Sequence, residues 1–136
     1  MIARALLVLP LLAGCAATGA EMACPAGTQA ATVAEAFLGR AVRDRADVSD
    51  AEWDAFLREV VTPAFPDGAT AHDTLGQWRG ADGTVLRERS KLLVLVLPGA
   101  DAAAAQARLR PVEDAWKRRF NQESVLTSYR TACVGF

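Results

Sequence analysis

The sequence predicts one α+β domain, and three features point to it. A capping box opens an apolar helical stripe at Ser49-Asp50-Ala51-Glu52. Two strand-like runs flank a Gly- and Asp-containing turn at Gly80 to Gly83, and a second helical stripe runs from about Asp101 to Phe120. With 136 residues the chain has room for a single hydrophobic core. Fifteen Lys and Arg against sixteen Asp and Glu leave no basic excess, so a nucleic-acid partner is not expected. A hydrophobic fraction of 51% excludes a disordered chain.

Taken in chain order, residues 1–14 read as a signal peptide. Arg4 supplies the positive start, and the apolar stretch to Leu12 is too short to span a bilayer as a helix of about 20 residues. Leu12-Ala13-Gly14-Cys15 resembles the lipobox of bacterial lipoproteins, in which small residues precede the cysteine because the peptidase accepts only such neighbours. That resemblance implies diacylglycerol on Cys15, an acylated amine and a membrane-anchored, exported protein, since two or more acyl chains hold a protein durably. Ala16 is not the Asp associated with inner-membrane retention, which points to the outer membrane, facing the periplasm, if the cell is Gram-negative. Residues 15–31 lack an apolar period and read as a tether, leaving 32–136 as the domain.

Export changes the meaning of the other cysteines. Cys24 and Cys133 are the two that remain, in a compartment where disulfides persist, and they are expected to pair. The alternative is a reactive thiol served by the sole histidine, His72.

Thr32 to Leu38 is ambiguous: Ala34, Glu35 and Ala36 lean towards helix, while a short run ending at Gly39 suits a buried strand. The first helix is better marked, with Ser49 capping Glu52, Val48 positioned to staple onto Trp53, and Trp53, Phe56, Leu57 and Val60 on one stripe. It should stop near Val61, ahead of Pro63 and Pro66. Asp47, Asp50, Glu52 and Asp54 read as a solvated acidic first turn rather than a metal site. Thr70 to Arg79 and Thr84 to Leu97 form a hairpin; the continuously apolar Leu92 to Leu97 implies cover on both faces or a central position. In the second helix Ala105, Leu109, Val112, Trp116 and Phe120 share a stripe, Lys117, Arg118 and Arg119 complement the dipole, and Pro111 should kink the rod. Ser124 to Val134 supplies the last strand.

The ordered set Ser49-Asp50-Ala51-Glu52-Trp53, Thr62-Pro63 with Phe65-Pro66-Asp67-Gly68, Gly76-Gln77-Trp78-Arg79, Arg87-Glu88-Arg89-Ser90-Lys91, Arg119-Phe120, Gln122-Glu123-Ser124-Val125 and Cys133-Val134 resembles a bacterial family of small exported lipoproteins catalogued as a domain of unknown function. The resemblance turns the ambiguous segment into a strand. It thereby implies a ferredoxin-like βαββαβ plan, a four-stranded antiparallel sheet with two helices on one face. The other face is left open, and a homodimer follows as the expectation by fold analogy.

A register of seven to eight residues around Gly80 to Gly83 places Gln77, Trp78 and Arg79 beside Glu88, Arg89, Ser90 and Lys91. Gln77, Trp78, Arg79, Glu88, Ser90 and Lys91 are therefore the ligand-binding candidates, with a cross-strand ladder of Arg and Glu pairs as the plainer reading. No nucleophile elbow, phosphate loop or dinucleotide-binding glycine pattern occurs, a single histidine cannot build a multi-histidine metal site, and no cofactor is implied. The expected role is a non-catalytic envelope module binding a partner protein or small ligand on the open sheet face. The alternative is a small isomerase or cofactor-free oxygenase using His72, Glu88 and Lys91. Metabolic labelling with a fatty acid should mark the wild-type protein and not Cys15→Ala; an unlabelled wild type would remove the anchor.

Overall fold

A computed structural model describes residues 23–79 and 82–135. The leader, Cys15 and the tether up to residue 22 lie outside the described residues. The elements follow the order β1 (Gln29–Gly39), α1 (Asp50–Phe56, continued by a π-helical turn Leu57–Val61 and by Thr62–Ala64), β2 (Thr70–Arg79), β3 (Val85–Pro98), α2 (Ala102–Phe120) and β4 (Leu126–Val134). The four strands form one sheet in the order β2-β3-β1-β4, with all neighbours antiparallel.

The segment that local propensity leans towards helix is β1, hydrogen-bonded on one side to β3 and on the other to β4. Two ladders outweigh the small helical preference of its alanines. Its alternate residues Ala34, Ala36 and Leu38 are fully buried. Opposite them on the same face, Leu93 and Leu95 of β3 pair with Ala36 and Ala34. Small side chains on the central strand let the helices settle close to the sheet. The strand begins at Gln29, earlier than the expected start at 32, and its first residues face the end of β4, where Cys24 and Cys133 form a disulfide at a sequence separation of 109. In the chain-entropy account, a loop of that size restrains the unfolded chain by about 4–5 kcal/mol.

Helix α1 opens as the sequence indicates. The Ser49 hydroxyl accepts from the Glu52 N–H, and the Glu52 carboxylate accepts from the Ser49 N–H at 2.8 Å. Its end does not: the rod continues past Val61 to Ala64. Pro63 has no N–H, and its ring crowds the carbonyl four residues earlier. The widened turn, in which the Thr62 N–H donates to Leu57 O, shifts the register and accommodates the ring. Helix α2 likewise runs unbroken across Pro111. Pro111 and Ala107 both lie on the exposed side, so water can serve the carbonyl that loses its donor. Strand β3 is central, as its apolar run implies, but of Leu92 to Leu97 only Leu93, Leu95 and Leu97 are buried; Val96 on the other face is exposed.

The core lies between the sheet and the two helices. Trp116 of α2 is its hub, with ring centroids 4.9 Å from Phe56, 4.4 Å from Phe120 and 5.8 Å from Trp53. The edge-to-face contacts with Phe56 and Trp53 are the favoured aromatic geometry.

Beside this core sits a four-charge cluster. Arg40, just after β1, and Lys91 of β3 have side chains only 5% and 8% exposed, whereas Asp50 and Asp73 reach solvent. Lys91 Nζ lies 2.7 Å from Asp73 and 3.3 Å from Asp50, and Arg40 Nη1 lies 3.0 Å from Asp50 and 3.6 Å from Asp73. Arg40 Nε also donates to Val48 O at 2.6 Å. Two cations withdrawn from water cost several kcal/mol unless paired, and each here touches both carboxylates. Asp50 is therefore more than a solvated first-turn acid: it ties the start of α1 to β1 and β3. The Lys91 ammonium, then the Arg40 guanidinium, hold its carboxyl below the ordinary value of 3.8.

Truncating Trp116→Ala should cost about 3–5 kcal/mol of unfolding free energy in a denaturant titration, because the hub of the aromatic cluster is lost. A depressed carboxyl contributes stability that is full above its ordinary value and is lost as pH falls through its folded-state value. Asp50→Asn should accordingly flatten the decline in stability on acidification below about pH 4, measured by thermal unfolding across pH; an unchanged acid limb would refute the coupling.

Candidate functional site

Alternation along the strands sends the odd-numbered residues of β1 away from the helices, together with Glu88, Ser90, Leu92, Val94 and Val96 of β3 and His72, Thr74 and Gly76 of β2. Through its middle this open face carries the apolar side chains of Leu92, Val94 and Val96 beside polar ones. There Glu35 accepts from Arg130 and Ser128, both at 2.7 Å, and these two partners, Arg130 foremost, lower its carboxyl pKa.

At the Gly39 end the face deepens into a cleft of about 610 Å³. Its wall is built where α2 stops. Asn121 takes a left-handed conformation (φ 51°), and its N–H caps Lys117 O. The chain then turns back over the end of β1, and the Gln122 amide donates to Ala41 O at 2.6 Å and to Phe120 O at 3.4 Å. Arg43 and Glu123 pair at 3.4 Å at the rim, both well exposed. Phe37 and Leu126 provide an apolar side, and Gly76, Gln77, Glu88 and Ser90 the polar one.

Glu88 is the focal group. Half-buried, it accepts from the Ala41 N–H at 3.3 Å, and among the described residues no cationic side chain lies within ion-pairing distance. Gly39 faces it across the cleft. A methyl group at Gly39 would run into the Glu88 carboxylate and stand 3.4 Å from Gln122 Oε1, so this position has room for no side chain while Glu88 is where it is.

The expected cluster is divided by the sheet. Gln77, Glu88 and Ser90 line the cleft. Ser90 also shares a hydrogen bond of 2.7 Å with Thr74. Lys91 lies on the helix-covered face, committed to Asp73 and Asp50. Arg79 donates to Gly83 O at 2.8 Å in the hairpin, and the backbone of Trp78 pairs with Leu86. The register differs from the expected one: Glu88, Ser90 and Lys91 sit opposite Gly76, Thr74 and Asp73 rather than opposite Gln77 to Arg79. A tighter closure, with Arg79 opposite Val85, moves the pairing along.

His72, Glu88 and Lys91 consequently do not converge. His72 is exposed opposite Leu92, roughly 13 Å along the strand from the Gly76 position that faces Glu88, at about 3.3 Å per residue. Lys91 is on the far face. Among the described residues no group of three or more His, Cys, Asp or Glu is placed to hold a metal ion. Nor is any helix of theirs long and apolar enough to cross a membrane.

Sequence reasoning left Gly39, Arg43 and Gln122 without roles. The available signal was the polar run Asn121 to Ser124, which is longer than a tight connection from α2 to β4 needs.

No curated protein matches the chain in sequence. Among solved structures it is similar to a phage SAM lyase in complex with S-methyl-5'-thioadenosine, with a TM-score of 0.58, 14% identity, and coverage of 85% of this chain and 95% of that one. The same lyase in its apo state gives a TM-score of 0.55 at 15% identity, covering 85% and 96%. At such identity the likeness is one of fold. Residues 34–136 match the family described as protein of unknown function (DUF3574), which takes in β1 beyond Val33, the whole cleft and Cys133, and it is to this family that the chain belongs.

Proposed function

We propose that this protein is an exported, lipid-anchored binding module that holds a small envelope ligand in the cleft around Glu88. The observation that carries the reading is a carboxylate without a cationic partner among the described residues, set in a cavity of about 610 Å³ between an apolar and a polar wall. Such pockets commonly combine apolar lining with a few converging polar groups.

The position of the cleft supports the anchored reading. Cys24 and Cys133 close one pole of the sheet at the start of β1, and the cleft lies at the other end of that eleven-residue strand, roughly 33–36 Å away at about 3.3 Å per residue. An anchor on Cys15 would enter at the disulfide pole and present the cleft away from the membrane, towards the periplasm if the cell is Gram-negative. The order β2-β3-β1-β4 with every pair antiparallel supports reading the plan as ferredoxin-like. Exposed Val96 and Leu126 on the open face favour a second copy of the chain as a partner.

A second reading, an enzyme, is favoured by the likeness in fold to the phage SAM lyase over 95% of that chain. The separation of His72 and Lys91 from Glu88 weakens the acid–base version of it. Both readings meet one experiment. Lipidated protein isolated from its own membranes in mild detergent should carry, in native mass spectrometry, a small-molecule adduct that is absent from Glu88→Gln. Incubation with S-adenosylmethionine should leave that compound intact. Protein-dependent formation of S-methyl-5'-thioadenosine would replace the binding reading with the enzymatic one.

A further inference from the structure

Around Gly39 the cleft holds more acceptors than donors. Glu88 Oε1 receives one hydrogen bond, from the Ala41 N–H at 3.3 Å, and its second oxygen receives none among the described residues. The Gln122 amide nitrogen is fixed by two carbonyls, Ala41 O and Phe120 O, which settles which end of the amide points where: its oxygen Oε1 is the end turned to the cleft. The Glu88 carboxylate lies against the backbone of Gly39, in the place a side chain there would take, and Gln122 Oε1 stands beside the same position, so the two acceptors meet at the cleft wall. Arg43 does not neutralise them, since it is engaged by Glu123 at 3.4 Å on the rim. Phe37 and exposed Leu126 continue the cleft as an apolar wall.

We infer that the cleft takes a primary ammonium group carried on an apolar stem, with Glu88 as counter-ion, Gln122 Oε1 as second acceptor, Gly39 as the residue whose lack of a side chain lets the Glu88 carboxylate lie at the cleft wall, and Phe37 and Leu126 against the stem. An ammonium is compact and carries three donors and no acceptor, the complement of what the cleft offers. A carboxylate-bearing ligand would meet Glu88 unfavourably, and a neutral alcohol would leave its charge unpaired. This inference rests on the binding reading above and adds the chemical class of the ligand.

Full-length lipidated protein in nanodiscs can be titrated with n-butylammonium and, separately, with n-butanol by saturation-transfer NMR, using empty nanodiscs as the blank. The expected result is saturable transfer to butylammonium, at least tenfold weaker transfer to butanol, and a fall of Glu88→Gln to the butanol level for both probes. Gly39→Ala, whose methyl would displace the Glu88 carboxylate, should weaken butylammonium binding, and Glu88→Gln keeps the proposal testable should that variant not fold. Equal affinity for the two probes, an unaffected Glu88→Gln protein, or no signal above the blank would each overturn the ammonium assignment. A Glu88-dependent adduct of neutral or acidic character on the native protein would do so while leaving the binding reading standing. Absence of any adduct together with absence of probe binding would remove both.

Discussion

Strand β1 is the constraint on which the other elements depend. It is the strand that pairs with both β3 and β4, so the sheet cannot close unless it is in place, and it contributes Ala34, Ala36 and Leu38 to the floor of the core. An alanine floor sets a short distance between sheet and helices, and the large aromatic groups then come from the helices, with Trp116, Phe56, Trp53 and Phe120 interlocked above it. The two ends of the same strand position the two chemically distinct poles of the molecule. Its start lies beside the disulfide, and its last residue, Gly39, opens the cleft.

The charge cluster follows from this arrangement. Arg40 leaves β1 at the level where Lys91 stands on β3, beneath the first turn of α1, and two buried cations there would be untenable without Asp50 and Asp73. Burial and pairing are coupled: the acids that serve the cations are themselves exposed, so the desolvation falls mainly on the basic side chains. The cluster is better understood as orienting α1 on the sheet than as a source of net stability, since ion pairs of this kind specify geometry more reliably than they add free energy.

Much of the fold was legible in the sequence because its signals are local. The capping box at Ser49 and Glu52, the α2 stripe ending at Phe120 and the two hairpin runs each need only neighbouring residues to be recognised, and each appears where expected. β1 was not legible from propensity, because its alanines favour a helix and only the two flanking ladders decide otherwise; the family resemblance carried that assignment. The end of α1 failed for a related reason: a proline rule describes a regular α-helix, and the π-helical turn before Pro63 changes the register that the rule assumes. The disulfide was deducible from cysteine arithmetic once the leader-like start is read as an export signal. The cleft was half legible. Gln77, Glu88 and Ser90 were named, whereas Lys91 stands three residues from Glu88 on one strand, and alternation alone sends it to the other face, a signal that grouping the charges by proximity in sequence passes over. Gly39 and Gln122 come from segments distant in sequence, and nothing short of the fold brings them to Glu88.

The placement of the disulfide has a mechanical meaning. The start of β1 pairs with the end of β4, Gln29 opposite Val134, and the bridge joins the chain just before one to the end of the other. A pull arriving through the segment before Cys24 therefore loads both strands at their common end. Without the bridge the same pull would peel β1 from β4 one hydrogen-bonded pair after another, the weakest way to load a ladder. With it, the covalent link takes the tension past the vulnerable end, and the two strands resist as a unit. Tension entering the domain ahead of Cys24 is in this way kept from unzipping the pair.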